Sequence, residues 1–262
     1  MQKRYDLILL DFDGTIFDSE EAIYSTMQKT YHHFHPTEPI PTTALRAQIA
    51  QGQAPEATFR ALQPSAAAQA TFNESLWIST YRALYATHGQ PLTTPYPYTR
   101  TLLRALARTH HIPVAVISNK AVAAVTTALR REGLLRGDWE EEEGQIPEEL
   151  VVGDGVFAVG GRKPHPSGFA EVLVPRLRAY FLACNRRGGE EGMRWLEGEV
   201  DMSRVLMVGD TVTDIRFARN IGSPVCWCRF GQGDPLECEA LRPEFVIDDL
   251  REFESKVLRV DV

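Results

Sequence analysis

The sequence predicts an α/β fold: a Rossmann-like parallel sheet with an α-helical cap domain inserted after its first strand. Three observations predict it. Short unbroken apolar runs recur at 5–10, 112–117, 150–152, 205–208, 224–227 and 245–247, as strands buried on both faces require. Segments of helical periodicity separate the later runs, at 102–109, 121–132, 167–184, 214–221 and 249–258. The stretch 19–95 breaks this alternation, because it is helix-like throughout and has no strong strand run.

Taken in order, run 5–10 is the first strand, and it ends in the polar turn Asp-Phe-Asp-Gly-Thr. The inserted stretch is punctuated by Pro36–Pro41, Gly52–Pro55 and Pro64, which divide it into short helices. Pro91, Pro95 and Pro97 mark the linker back to the sheet. The catalytic core is therefore expected at 1–18 and 96–262, and the cap at 19–95. A length of 262 residues suits a core with one smaller insertion, and 44% apolar residues suffice for a sizeable interior. Two segments, 137–149 with its Glu140-Glu141-Glu142-Glu143 run and the Gly- and charge-rich 186–200, read as solvated surface loops.

Composition also excludes partners. A net charge of −7 argues against nucleic acid and anionic membrane surfaces. No apolar run approaches the length of a transmembrane helix, and 7–10 is too short for a secretory segment. The expectation is a cytoplasmic protein, monomer or homodimer, that acts on a small molecule. Cys226 and Cys228 lack zinc or redox spacing, and alternation puts both on one strand face; with Cys184 and Cys238 they are expected as reduced thiols. Of 28 basic residues only five are lysines, so the positions of Lys120 and Lys163 are informative.

Every polar motif follows directly on a strand, where open α/β sheets place their active sites. Asp11 and Asp13 face one pocket if the strand ends in a turn, which Gly14 permits. Two carboxylates so close raise one pKa or demand a cation, and Mg2+ is the natural partner of hard oxygen ligands and of phosphate. Ser118-Asn119-Lys120 follows the run 112–117; a hydroxyl and backbone N–H groups at a strand-to-helix junction cradle an anion, although Ser or Asn there also serves as a helix N-cap. Gly161-Arg162-Lys163-Pro164-His165-Pro166 holds an ammonium in a proline-stiffened turn, which suits a phosphate and its attacking carboxylate. In Gly209-Asp210-Thr211-Val212-Thr213-Asp214, Asp210 can reach a metal and Asp214 lies one helical turn later on the same side; capping by Asp210 or Thr211 is the competing reading. Together these residues supply the positioning and charge neutralisation that phosphoryl transfer needs.

The four motifs resemble those of the haloacid dehalogenase superfamily, and specifically its phosphatases, over almost the whole core. The cap helices at 45–62 with Gly52 in a turn, the Tyr96-Pro97 pair and the Lys-Pro-x-Pro ending at Pro166 are similar to the phosphoglycolate-phosphatase-like group. Where those relatives carry Gly after Tyr-Pro, this chain has Tyr98. The resemblance implies that Asp11 attacks phosphorus and that Asp13 protonates the leaving oxygen and then activates water. It implies Mg2+ held by Asp11, the backbone carbonyl of Asp13, Asp210 and, directly or through another group, Asp214. Ser118 and Lys163 would bind the phosphoryl group, and Gly14, Thr15 and Asn119 would hold motif geometry or donate to its oxygens. The cap would close over the site, with the turn at Gln51-Gly52-Gln53 near the leaving group.

The function expected is Mg2+-dependent hydrolysis of a small organic phosphate monoester, phosphoglycolate-like or a sugar phosphate. Dehalogenation is disfavoured because Asp13 supplies an acid that reaction does not use. Phosphonate hydrolysis would need a cap lysine, and Lys29, on an early cap helix, is the single candidate. A sugar-phosphate mutase shares the core. A non-catalytic binding protein on this fold is disfavoured because Asp11, Asp13, Lys163 and Asp210 are all present.

Overall fold

The computed structural model describes residues 5–136, 146–157, 160–185 and 200–259. Most of the two surface segments expected at 137–149 and 186–200, and the side chain of Cys184, lie outside these residues.

Six strands form one parallel sheet: β1 (Leu7–Leu10), β2 (Val114–Ala121), β3 (Val151–Asp154), β4 (Val205–Gly209), β5 (Val225–Cys228) and β6 (Phe245–Ile247). Their order is β6-β5-β4-β1-β2-β3, with β1 at the centre between β4 and β2. Each run of the sequence became a strand because it offers apolar side chains to both faces. Ile8, Leu10, Val116 and Val208 pack into the layer on one side, and Leu7, Leu9, Ile117 and Met207 into the layer on the other. Cys226 and Cys228 share the first layer, Cys238 lies in the second, and all three are free and buried, with burial pushing their thiols up.

Between β1 and β2 the chain builds a helical cap from α1 (Glu20–Phe34), α2 (Thr42–Ala50), α3 (Pro55–Ala61), α4 (Ala66–Ala70) and α5 (Glu74–Leu84). It has a core of its own around Trp77, whose ring stacks on Phe34 at 4.2 Å and meets Phe59 at 5.1 Å. The outgoing and returning chains lie side by side, Phe17–Asp18 pairing antiparallel with Thr94–Pro95. Among the described residues no helix is long and apolar enough to cross a membrane.

After the cap come α6 (Thr99–Arg108), α7 (Val122–Arg131), α8 (Val174–Asn185), α9 (Val212–Ile221) and α10 (Pro235–Ala240). The structure departs from the sequence reading in three elements. β2 does not stop at Ile117 but runs on through Ala121, with its register against β3 shifting on the way. The expected helix 167–184 opens as a π-turn, Gly168–Leu173, because Pro175 has no N–H to continue an α-helical ladder there. The segment 249–258 forms a 3-10 turn and a π-turn, not a regular helix. Tyr98, the residue that replaces glycine, takes φ 73°, a left-handed conformation that costs about 1–2 kcal/mol in a residue with a Cβ. Its ring packs on the core and its hydroxyl donates to Glu254 Oε1 at 3.3 Å.

Candidate active site

Four strand ends converge beneath the cap. β1 delivers Asp11 and, past its end, Asp13; the end of β2 carries Ser118, Asn119 and Lys120. The loop after β3 carries Lys163, β4 runs into Asp210, and the first turn of α9 holds Asp214. All of these side chains line one cavity of about 370 Å³ between cap and core. Gly52 and Gln53 of the cap line it too, and the turn is tied down by Thr213 Oγ1 donating to Gln51 O at 3.2 Å.

Lys163 is the electrostatic centre. Its Nζ lies 2.8 Å from Asp11 Oδ1 and donates to Asp214 Oδ1 at 2.6 Å. Burial alone would lower its pKa, but the two carboxylates outweigh it and hold the ammonium charged well above its ordinary value. Asn119 fixes this lysine from the backbone: its Nδ2 donates to Lys163 O at 2.9 Å, and its Oδ1 accepts from Lys163 N at 2.8 Å. Neither Ser118 nor Asn119 caps α7, whose N-cap position is Ala121. Buried Ser118 instead lines the cavity with its Oγ accepting from Lys120 N at 3.3 Å.

Asp11, Asp210 and Asp214 are buried with carboxylate oxygens within 4.8 Å of one another, a donor set that fits a hard divalent cation. Burial pushes the Asp11 carboxyl up, Lys163 pulls it down and Asp214 and Asp13 push it up again, to about 7. Asp210 is raised well above the carboxylate range by burial and by Asp214 and Asp11. Asp210 Oδ1 is buried without a hydrogen-bond partner, as expected of an oxygen that awaits a cation. Asp214 is engaged differently: its Oδ2 accepts from Thr211 N at 3.0 Å and Thr211 Oγ1 at 2.8 Å. Capping and site assembly are thus performed by the same residues, and Asp214 reaches the centre by holding Lys163.

Gly14 and Thr15 line up less directly. Neither is part of the cavity wall. Gly14, at φ 71°, lets Asp210 approach so closely that a Cβ there would sit 1.9 Å from its Oδ2. Thr15 is fully buried with Oγ1 unpartnered.

Sequence reasoning singled out Lys120 without a role, and it missed Ser19 and the loop 231–233. Lys120 Nζ donates to Asp13 Oδ1 at 2.9 Å and lies 4.0 Å from the centre of the Tyr85 ring. Ser19 Oγ donates to the same Asp13 oxygen at 2.5 Å. The loop Gly231-Gln232-Gly233 wraps Asp210, with Gln232 N donating to its Oδ2 at 2.7 Å. Lys29, by contrast, sits exposed on α1 and does not line the cavity.

Comparison with known proteins gives the family. The family model of the haloacid dehalogenase-like hydrolases matches residues 5–222. The chain belongs to that family and is a hydrolase. It is 26% identical over 244 residues to a phosphoglycolate phosphatase of Cupriavidus necator, covering 93% of this chain and 89% of that one. A phosphoglycolate phosphatase of Neisseria meningitidis is 26% identical over 251 residues, covering 94% of this chain and 90% of its own. Among solved structures, a haloacid dehalogenase-like family protein of Streptococcus pneumoniae superposes with a TM-score of 0.64 at 16% identity, over 96% of this chain and 98% of that one.

Proposed function

We propose that this hydrolase cleaves small organic phosphate monoesters through an aspartyl-phosphate on Asp11. The observation that carries the reading is Lys163 Nζ at 2.8 Å from Asp11, in the cavity that also receives Asp13, Ser118 and Asp210. The Asp11 carboxylate attacks phosphorus, the ester P–O bond breaks, and Asp13 gives its proton to the leaving alkoxide. Water then attacks the phosphorus of the aspartyl-phosphate, passes a proton to Asp13 and restores the Asp11 carboxylate as phosphate departs. Lys163 and Ser118 hold the phosphoryl oxygens throughout. Asp11 and Asp210, with the Asp13 carbonyl and with Asp214 beside them, would hold Mg2+, which when bound offsets the charge of the phosphoryl oxygens and lets two anions meet. Lys120 and Ser19 keep Asp13 aimed at the leaving oxygen.

Three buried free thiols support a reducing, cytoplasmic setting. The test is phosphate release from an aryl phosphate. Wild-type protein with Mg2+ releases inorganic phosphate into water, EDTA stops it, and Asp11→Asn is inactive while its circular dichroism is unchanged. Activity retained in Asp11→Asn would remove the nucleophile assignment, and transfer to a second sugar phosphate without release would mark a mutase.

A further inference from the structure

The cavity wall speaks to the alcohol that leaves. Resting on the phosphatase reading above, we propose that this alcohol is uncharged and has an apolar body, and that the site selects against esters whose alcohol carries a carboxylate.

The charge balance of the wall carries the inference. Among the described residues, six carboxylates and four cations line the cavity. With a divalent ion bound and Asp13 holding the proton it donates, the wall carries one net positive charge, which a phosphate dianion more than cancels, so no positive charge remains for a second anion. Each cation is also already engaged. Lys163 is held by Asp11 and Asp214, and Lys120 by Asp13. Arg162 pairs with Asp154 at 2.8 Å and with Glu56, and Arg82 pairs with Asp154 as well. Glu56, which lines the cavity, has Oε2 buried with no partner. A free carboxylate oxygen accepts from a hydroxyl and repels another carboxylate. An uncompensated charge several ångströms from it costs on the order of 10- to 100-fold in affinity at the effective dielectric of a protein site.

Uncharged polar side chains such as Gln53, Gln90, Thr127 and Gln232 share the rest of the wall with a set of apolar ones. Ile23, Met27, Ile49, Ile78, Tyr81 and Ala124 face the space. About 370 Å³ falls within the range of pockets that enclose organic ligands larger than a two-carbon acid. Burial of each added methylene is worth about fourfold in binding. The two phosphoglycolate phosphatases similar to this chain are named for a carboxylate-bearing ester, so the proposal gives the present protein a substrate class apart from the one in their names.

The experiment compares benzyl phosphate with phosphoglycolate, both esters of primary alcohols, so that leaving-group chemistry differs little. The expected result is a kcat/KM for benzyl phosphate about 100-fold above that for phosphoglycolate, with ethyl to butyl phosphates rising severalfold per methylene. Asp154→Asn, which releases Arg82 and part of Arg162 from their partner, should raise the ratio of kcat/KM for phosphoglycolate to that for benzyl phosphate at least fivefold. Equal or better use of phosphoglycolate by the wild type would overturn this inference while leaving the phosphatase reading intact. Absence of turnover with every ester would remove the phosphatase reading instead. Binding then decides the present inference separately: with Mg2+, benzylphosphonate should raise the melting temperature and phosphonoacetate should not, and the reverse order would overturn it.

Discussion

Replacing Asp210 by Asn should make the metal-free protein more stable and the enzyme dead. Three carboxylates crowd within 4.8 Å and share one ammonium, Lys163. At an effective dielectric near 20, each like-charged pair at that distance costs about 3 kcal/mol. The amide is nearly isosteric. Its oxygen can keep the bond from Gln232 N, and its NH2 falls where Asp210 Oδ1 now has no partner. A buried acid crowded by two others is replaced by a group that cannot ionise, so the substitution should stabilise the metal-free fold by about 1–3 kcal/mol, or roughly 2–10 °C in melting temperature for a chain of this size. The assay is thermal unfolding at pH 7.5 in EDTA and in Mg2+, for wild type and Asp210→Asn. Wild type should melt higher in Mg2+ than in EDTA; the variant should melt higher than wild type in EDTA and gain little from Mg2+. A variant that melts lower in EDTA would refute the repulsion among these carboxylates, and one that keeps the full Mg2+ response would refute cation binding by Asp210.

Other outcomes follow from the same contacts. Lys120→Met leaves Asp13 without its ammonium partner at 2.9 Å and should lower kcat by tenfold or more with KM little changed, as kinetics on an aryl phosphate will show; an unchanged kcat would confine Lys120 to a packing role. Gly231→Ala places a methyl 2.3 Å from Asp210 Cβ and 2.4 Å from Gly14 O, so the loop must move, with loss of Mg2+-dependent stabilisation and a fold weakened by about 1–3 kcal/mol. In EDTA, stability should fall as pH rises. The folded chain keeps the Asp11 proton up to about pH 7, whereas the unfolded chain has released it near 3.8, so the native state binds more protons over that interval and loses ground across it. Melting temperatures in EDTA should therefore decline between pH 5 and about 8, with the Mg2+ rescue largest at the high end; a flat profile would contradict the burial of these acids.

Much of this architecture was legible because it is local. Apolar runs mark central strands regardless of context, and Asp11, Lys163 and Asp210 stand at fixed offsets from the ends of their strands or in a proline-bound turn. The contacts that tune the site were not legible, because they are long-range. Lys120 meets Asp13 across 107 residues, and Gln232 meets Asp210 across 22, so neither pairing leaves a periodic or motif signal. The concentration of glycine at Gly231 and Gly233 was the available hint that a backbone passes something bulky there. By themselves Ser118 and Asn119 read first as helix caps, and it is the extension of β2 that moves the cap position to Ala121. Tyr98 holds a left-handed conformation, and core packing of its ring and the bond from its hydroxyl to Glu254 offset the strain. Which cap side chains face the cavity depends on how the cap sits on the sheet, and helical periodicity alone does not encode that docking.

The covalent role of Asp11 is tested most directly by trapping. Protein quenched during turnover of an aryl phosphate and reduced with borohydride converts an acyl phosphate to an alcohol, which peptide mass spectrometry locates. Reduction of residue 11 to homoserine, dependent on substrate and absent when phosphate ester is withheld, is the expected result. An active enzyme in which residue 11 survives unreduced, or in which another carboxylate carries the mark, would contradict the account.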